Sequence, residues 1–239
     1  MVMHIKDGTG RFAERPHFTE AELDAECEEI ICDFLRELHG TVGYPVATDD
    51  LTKLIELHAD DLDLYADLSA LGEDVEGLTE FRPGEKPHVK ISRLLSDDLR
   101  RENRLRTTLT HEFSHVHFHS YLWDSVARQS SLFDTGQPNQ PMTCKRETIL
   151  AAIKTDWMEW QAGYACGALL MPATAVKHLV ASFFRDHGIY VAVTPDSTHG
   201  RNLIRSAADT FRVSEEAASV RLSRLSFLSA SASGQTLLQ

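Results

Sequence analysis

The stretch His111-Glu112-Phe113-Ser114-His115 lies within a run of residues whose apolar spacing predicts an α-helix. Residues four apart in a helix lie on one face, with about 5–6 Å between their Cβ atoms. The imidazoles of His111 and His115 can therefore reach one metal ion, and Glu112 stands beside them as a candidate base. Because so short a pattern also arises by chance, the hypothesis of a metal-dependent hydrolase needs a third ligand elsewhere in the chain.

The third ligand is expected from a second helix, predicted from about residue 147 to residue 170. Catalytic zinc sites use three protein ligands and keep one position open for water. Two acidic residues of this helix, Asp156 and Glu159, lie one turn apart, and Glu147 is a weaker option. Spacing alone leaves the choice between them open.

Four stretches of the chain carry a resemblance to a known family. The sequence EWQAGYACGALLMP over residues 159–172 resembles the second signature of the ImmA/IrrE metallo-endopeptidases, and TTLTHEFSHVHFH over residues 107–119 resembles the first. The family is also similar over residues 77–92, which precede the first signature, and over residues 211–222, near the end of the chain. These two stretches support the resemblance. The resemblance spans roughly residues 40–228.

The resemblance implies an α+β fold with a zincin-like metalloprotease core, a small β-sheet and a mostly helical remainder. It also implies that His111, His115 and Glu159 hold a zinc ion. Glu112 is then expected to accept a proton from the attacking water and to pass it to the leaving amine. Manganese stays an alternative to zinc, since two imidazoles and one carboxylate suit several divalent ions.

The sequence departs from the family's pattern at several positions. Gly163 stands where the family usually has a small polar residue, and Ala165 where it usually has phenylalanine. The interval of 44 residues between His115 and Glu159 is longer than expected for the family, because a Pro/Gly-rich excursion occupies residues 123–144. We expect this excursion to affect which substrate is bound more than whether the metal is bound.

Four other polar side chains are candidates for supporting roles in the predicted site. Tyr121, Tyr164 and His199 are candidates for stabilising the oxyanion, and the sequence does not choose between them. His119 falls near the same helical stripe as His111. A contact behind a ligand, or with the core, is favoured for His119 over direct metal coordination.

Composition limits the partners and the compartment. The chain has 239 residues, of which 42% are apolar, as is ordinary for a globular protein. Its formal net charge of −12 argues against broad electrostatic binding to nucleic acid or anionic membranes. Its four cysteines are scattered, with no Cys-x-x-Cys pair, as is usual in a reducing compartment. The N-terminal residues lack the apolar core of a signal peptide. We therefore expect a cytoplasmic protein without membrane contact.

The chain is predicted to divide into four segments. Residues 1–17 are expected to form a flexible arm, residues 18–172 the catalytic domain, residues 173–228 a helical region similar to a helix-turn-helix, and residues 229–239 a disordered tail. The strongest strand signal is a β-hairpin over residues 78–91. The last helical region carries five arginines against three acids, over residues 201–228, so packing or protein binding is favoured over contact with DNA.

Members of the resembled family cut helix-turn-helix repressors and so switch on stress-response or mobile-element genes. The resemblance therefore implies limited proteolysis of a repressor, with the substrate added as a strand at the sheet edge near Phe81 or Ile91. A second hypothesis is a non-enzymatic, metal-containing regulator that binds a repressor or DNA. A third is an amidase or peptidase that acts on small molecules.

Overall fold

The protein is described here by a computed structural model that covers residues 2–72, 74–82, 84–133, 142–145 and 156–229, with the backbone alone for 124–133 and 142–145. Over these residues it is an α+β protein, mostly helical with two small sheets. The α+β class is therefore confirmed, whereas the zincin-like metalloprotease core stays a prediction. Two compact units are found, one of Met1–Ala25 with Ala47–Cys166 and one of Glu26–Val46 with Gly167–Gln239. The predicted domain boundaries stay predictions.

All of the described strands belong to the first unit, which also contains helices, and the second unit is built mainly from helices. The strands are β1 (Met3–Lys6), β2 (Glu14–His17), β3 (Asp61–Ala66), β4 (Val75–Glu80), β5 (His88–Ser92) and β6 (Met142–Lys145). The helices are α1 (Glu20–His39), α2 (Thr48–His58), α3 (Arg93–Ser96), α4 (Glu102–Phe133), α5 (Trp157–Leu170), α6 (Ala173–His187), α7 (Thr198–Phe211) and α8 (Glu215–Arg224).

Capping residues explain where several of these helices begin and end. Thr19 and Glu22 form a reciprocal capping box at the start of α1, with the Thr19 backbone N–H donating to the Glu22 carboxylate and the Glu22 N–H donating to Thr19 Oγ1. Gly40 follows the helix with a φ of 72°, a conformation that favours glycine. Ser214 caps α8 by accepting from the Ala217 N–H. Residues with strong capping preferences therefore mark both ends of α1 and the start of α8.

The larger sheet has the strand order β3-β5-β4-β6. Strands β4 and β5 are antiparallel, with Leu78 opposite Lys90, so the predicted hairpin is confirmed. Strand β3 runs parallel to β5, and β6 pairs antiparallel with β4 from Val75 to Thr79. In the described part of the sheet β3 and β6 are the edge strands. The expectation of a free edge at Ile91 is wrong, since β5 is paired on both sides.

Helix α4 packs against β4 and α2 through apolar side chains. Leu109, Phe113 and Val116 are buried on α4, and Leu54 and Ile55 are buried on α2. The backbone stays helical to Phe133, so residues 123–133, which were predicted to belong to the excursion, continue α4 instead. Of the remaining residues of that excursion, 134–141 lie outside the described part of the chain, as does Glu147.

The first seventeen residues, which the sequence predicted to be a flexible arm, contain regular structure. Strands β1 and β2 pair as an antiparallel hairpin, and Asp7 and Phe12 between them are buried. The Phe12 ring contacts Trp123 and Trp157 edge-on, at centroid distances of 5.3 and 6.3 Å. The sequence did not indicate this hairpin, because a single aromatic residue and one buried carboxylate, and not an alternating pattern, attach it to the first unit.

The Asp7 carboxylate organises the turn of this hairpin. It accepts hydrogen bonds from the N–H and Oγ1 of Thr9, the N–H of Phe12 and the indole Nε1 of Trp157, at 2.8–3.2 Å. Burial by itself raises the pKa of Asp7, but these hydrogen bonds outweigh burial and lower it. The charged carboxylate therefore stabilises the folded state.

Helices α6, α7 and α8 supply most of the second unit's buried side chains. Leu203, Ile204 and Phe211 of α7 are buried, together with Leu222 of α8. Arg221 is also buried, and its Nε donates to the Met171 carbonyl at 3.0 Å. Beyond residue 229, the tail predicted to be disordered lies outside the described residues.

None of the described helices is long and apolar enough to cross a membrane by itself. Helices α5 and α6 meet the requirement only when they are taken together as a bent pair. The cytoplasmic location stays a prediction.

We expect Asp7→Ala to lower the free energy of unfolding by about 1–3 kcal/mol, because several buried donors lose their acceptor. The exposed Glu14→Ala on β2 is the control and should change stability little. Urea denaturation measures both. Because the pKa of Asp7 is lowered in the folded state, its contribution should be present above about pH 4 and lost as the pH falls through the folded pKa. Equal, small effects of the two substitutions would contradict the role of Asp7.

Candidate metal centre

Helix α4 buries an unusually polar stretch. Every residue from 106 to 116 is buried, although the stretch includes threonine, serine, histidine and glutamate. Two of its hydroxyl groups are satisfied within the helix: Thr110 Oγ1 donates to the Arg106 carbonyl at 2.9 Å, and Ser114 Oγ donates to the Thr110 carbonyl at 2.6 Å. Since buried polar groups without partners are costly, this local pairing allows the motif to lie inside the first unit.

Three potential ligand atoms converge between α4 and α5. His111 Nε2 lies 3.1 Å from His115 Nε2 and 3.2 Å from Glu159 Oε2, and His115 Nε2 lies 3.5 Å from Glu159 Oε1. Nitrogen and oxygen ligands about 2.0–2.1 Å from one tetrahedral zinc ion are separated by about 3.3–3.4 Å. The spacing and the chemistry of the three side chains therefore fit a single divalent cation, and the group could hold a metal ion.

The structure also distinguishes the acidic alternatives on α5. Asp156 lies at the helix start and forms an ion pair with Arg11 at 3.0 Å, where both side chains are about one-third exposed. Glu159 lies one turn later, is 9% exposed and faces the two histidines. Among the described residues, Glu159 is the acid that joins them.

Charge favours a cation at this position. Burial alone raises the pKa of Glu159, but the charge of His115 and hydrogen bonds with the rings of His111 and His115 outweigh burial and lower it. The carboxylate is therefore ionised at neutral pH. An ionised carboxylate beside two imidazoles is a common ligand set of catalytic zinc.

Glu112 is buried on the side of α4 that faces β4. Thr79 Oγ1 donates to Glu112 Oε2 at 2.6 Å. Gly77 provides space for the other oxygen, because a Cβ at that position would lie 2.4 Å from Glu112 Oε1. Burial raises the pKa of Glu112, although the charges of His111 and His115 and the Thr79 hydrogen bond act in the opposite direction.

Sequence reasoning missed Gly77 and Thr79, although their two-residue spacing contains a usable signal. Residues two apart in a strand point to the same face of the sheet. A glycine and a threonine on the face that covers the motif helix leave room for one carboxylate and donate to it. Without knowing which strand packs on α4, this pairing could not be identified.

His119 lies behind His115. The two Nδ1 atoms are 3.0 Å apart, and His119 Nε2 lies 3.1 Å from Gln161 Oε1. Burial, followed by the charge of His115, lowers the pKa of His119 well below its usual value, so its imidazole is neutral. The expected contact behind a ligand is what the structure has. Gln161 was missed, although it and Glu159 are the most polar side chains of the otherwise apolar α5.

None of the three candidate oxyanion donors belongs to the group of His111, His115 and Glu159. The Tyr164 hydroxyl donates to Asp24 Oδ2 at 3.1 Å, and Tyr121 is 43% exposed on α4. His199 belongs to the second unit, where its ring lies 5.7 Å from that of His187. We assign no oxyanion role to these three residues.

None of the cysteines whose side chains the structure describes belongs to the candidate metal group. Cys166 is buried on α5, and its thiol donates to the Gly163 carbonyl at 3.3 Å. Cys27 is also buried. The side chain of Cys144 lies outside the described part of the structure.

Comparison with known proteins does not add to this picture. No protein-family model matches the chain, and no curated protein is significantly similar to it. The likeness to the ImmA/IrrE metallo-endopeptidases therefore stays a prediction from the sequence motifs.

We expect the wild-type protein to bind one zinc or manganese ion per chain, and Glu159→Gln to weaken that binding by more than the 10–100-fold cost of losing a group behind a ligand. Asp156→Asn is a matched control one turn away on α5 and should keep wild-type affinity. Elemental analysis gives the stoichiometry, and competition with a chromophoric chelator gives the affinity. Equal affinities of the two variants would exclude Glu159 as a ligand.

Proposed function

We propose that this protein is a metal-dependent endopeptidase that performs limited proteolysis of a protein substrate. The observation that carries the proposal is the convergence of His111, His115 and Glu159 on one point, with the buried acid Glu112 next to the first ligand in the chain. The resemblance to the ImmA/IrrE family supports the same reaction. It also favours a helix-turn-helix repressor in a stress-response or mobile-element switch as the substrate.

His111, His115 and Glu159 would hold the metal. A zinc ion in such a site makes water acidic enough to ionise near neutral pH and polarises the scissile carbonyl. Glu112 would accept the proton of the attacking water and deliver it to the leaving amine. A pKa raised by burial suits a group that must accept and release a proton near neutral pH.

The two oxygens of Glu112 have different surroundings, which supports its role as a base. Oε2 accepts from Thr79, whereas Oε1 is buried and accepts no hydrogen bond from the residues that the structure describes. A buried acceptor without a donor costs about 1–3 kcal/mol. The attacking water is a suitable donor to Oε1, while Thr79 keeps the carboxylate from rotating.

An extended peptide would reach the site by pairing with the sheet. Strand β4 carries Gly77 and Thr79, and its outer neighbour in the described sheet is β6. We place the peptide alongside β6 or in its position, as the edge originally expected near Phe81 and Ile91 is largely paired. The net charge of −12 favours association with a basic protein, and DNA-binding repressors are commonly basic.

A non-enzymatic regulator with a structural metal is the second candidate. Its supporting observation is burial: His111, Glu112 and His115 are at most 1% exposed, and structural zinc sites are closed. Such a regulator would bind a repressor without cutting it. DNA is the less favoured partner, since Arg221, one of the five arginines of residues 201–228, is buried and donates to the Met171 carbonyl.

We expect Glu112→Gln to reduce cleavage by about 10²–10⁴-fold, because the amide cannot accept the proton, while metal binding is retained. The exposed Glu56→Gln on α2 is the matched control. The substrate to test is a purified repressor-like protein encoded beside this gene, with fragments resolved on a gel and identified by mass spectrometry. Full cleavage by the metal-loaded Glu112→Gln protein would refute the mechanism. Stoichiometric binding of the partner without fragments would support the regulator.

Gly77→Ala should separate the base from the metal. The added methyl group would lie 2.4 Å from Glu112 Oε1, so the carboxylate must move. A displacement of about 1 Å can lower the rate about 10²-fold, and we expect metal affinity to stay unchanged. Gly167→Ala on α5 is the control, because its Cβ meets no atom within 4 Å. Unchanged cleavage by a folded Gly77→Ala protein would argue against the position assigned to Glu112.

A further inference from the structure

A chain of hydrogen bonds leads from strand β2 to the ligand His115. The Pro16 carbonyl accepts from Gln161 Nε2 at 3.1 Å, and Gln161 Oε1 lies 3.1 Å from His119 Nε2. His119 Nδ1 then lies 3.0 Å from His115 Nδ1. Gln161, His119 and His115 are all at most 1% exposed, so water does not compete for these contacts.

The proton positions in this chain follow from its first member. The Pro16 carbonyl can only accept, so the nitrogen of the Gln161 amide must face it and the oxygen must face His119. That oxygen in turn requires the proton of His119 to be on Nε2. In a neutral imidazole the other nitrogen is then an acceptor, so His119 Nδ1 accepts from His115 Nδ1–H.

We propose that His119 and Gln161 are positioning residues that fix the tautomer and the ring orientation of His115. With its proton held on Nδ1, His115 presents the lone pair of Nε2, the atom that faces His111 and Glu159. Hydrogen bonds of this kind raise the basicity of a metal-bound histidine. The inference rests on the metal site of the proposed function, but it does not depend on peptidase activity.

The same chain makes the N-terminal hairpin part of the metal centre. Pro16 belongs to β2, and the hairpin is held to α5 by the hydrogen bond from Trp157 Nε1 to Asp7. The Trp157 ring also packs edge-on against His119, with 5.5 Å between centroids. The hairpin therefore supports His119 through Gln161 on one side and through Trp157 on the other.

The experiment compares two substitutions of similar size at His119. In His119→Asn, Oδ1 lies near the position of the original Nδ1 and can accept from His115, whereas His119→Leu offers no acceptor. We expect the zinc affinity of His119→Leu to fall about 10–100-fold, and His119→Asn to recover a large part of that loss. Ser114→Ala removes a buried hydrogen bond of the same helix and should bind zinc as the wild type does.

Two further measurements separate positioning from general destabilisation. Gln161→Met breaks the chain two hydrogen bonds away from the ligand His115 and should weaken zinc binding without changing residue 119. Nitrogen NMR of histidine-labelled, zinc-loaded wild-type protein should place the His115 proton on Nδ1 and show a scalar coupling between the Nδ1 nuclei of His115 and His119. Thermal unfolding of each metal-free variant shows whether a change in affinity merely follows a change in stability.

The results of these measurements distinguish failure of the positioning role from failure of the proposed function. Wild-type zinc affinity in His119→Leu, equal losses in His119→Leu and His119→Asn, or a missing coupling between the two histidines would overturn the inference. A wild-type protein that binds no zinc would overturn both this inference and the proposed function. Zinc binding that weakens as expected in the variants, in a protein that cuts no repressor, would refute only the peptidase proposal.

Discussion

The constraint on which this structure depends is the burial of one carboxylate and two imidazoles with their ligand atoms 3.1–3.5 Å apart. A group of this kind is expensive to remove from water unless each charge is paired or bound to a metal. Helix α4 supplies both imidazoles through a four-residue spacing, and α5 supplies Glu159. The position of α5 relative to α4 is therefore the critical feature of the first unit, and other elements act by maintaining it.

Glu112 and the three candidate metal ligands are held by different parts of the first unit. Glu112 is restrained by β4, through the Thr79 hydroxyl and the space that Gly77 leaves. His115 is restrained from the opposite direction, through His119 and the hairpin residue Pro16. These supports share no side chain. In the proposed mechanism, a substitution in β4 should therefore alter proton transfer without altering metal affinity, and a substitution behind His115 should alter metal affinity without altering proton transfer.

Local rules predicted the features that depend on neighbouring residues. The β4–β5 hairpin and the pairing of His111 with His115 both follow from short spacings, and each is present in the structure. The choice between Asp156 and Glu159 did not follow from spacing, since it depends on which side of α5 faces α4. The hairpin at the N-terminus was missed for the same reason: its stability comes from partners about 150 positions away in the sequence, such as Trp157.

The long interval between His115 and Glu159 has a structural consequence that spacing could not reveal. Part of it returns as β6, which pairs with β4 on the side away from β5. Strand pairing satisfies backbone groups that an extended peptide would otherwise use. A peptide that binds to β4 itself must therefore replace the hydrogen bonds of Met142–Lys145, whereas a peptide that pairs with β6 lies one strand, about 4.8 Å, farther from Thr79. In the proposed peptidase, substrate access would therefore depend on β6, which belongs to the long interval between His115 and Glu159.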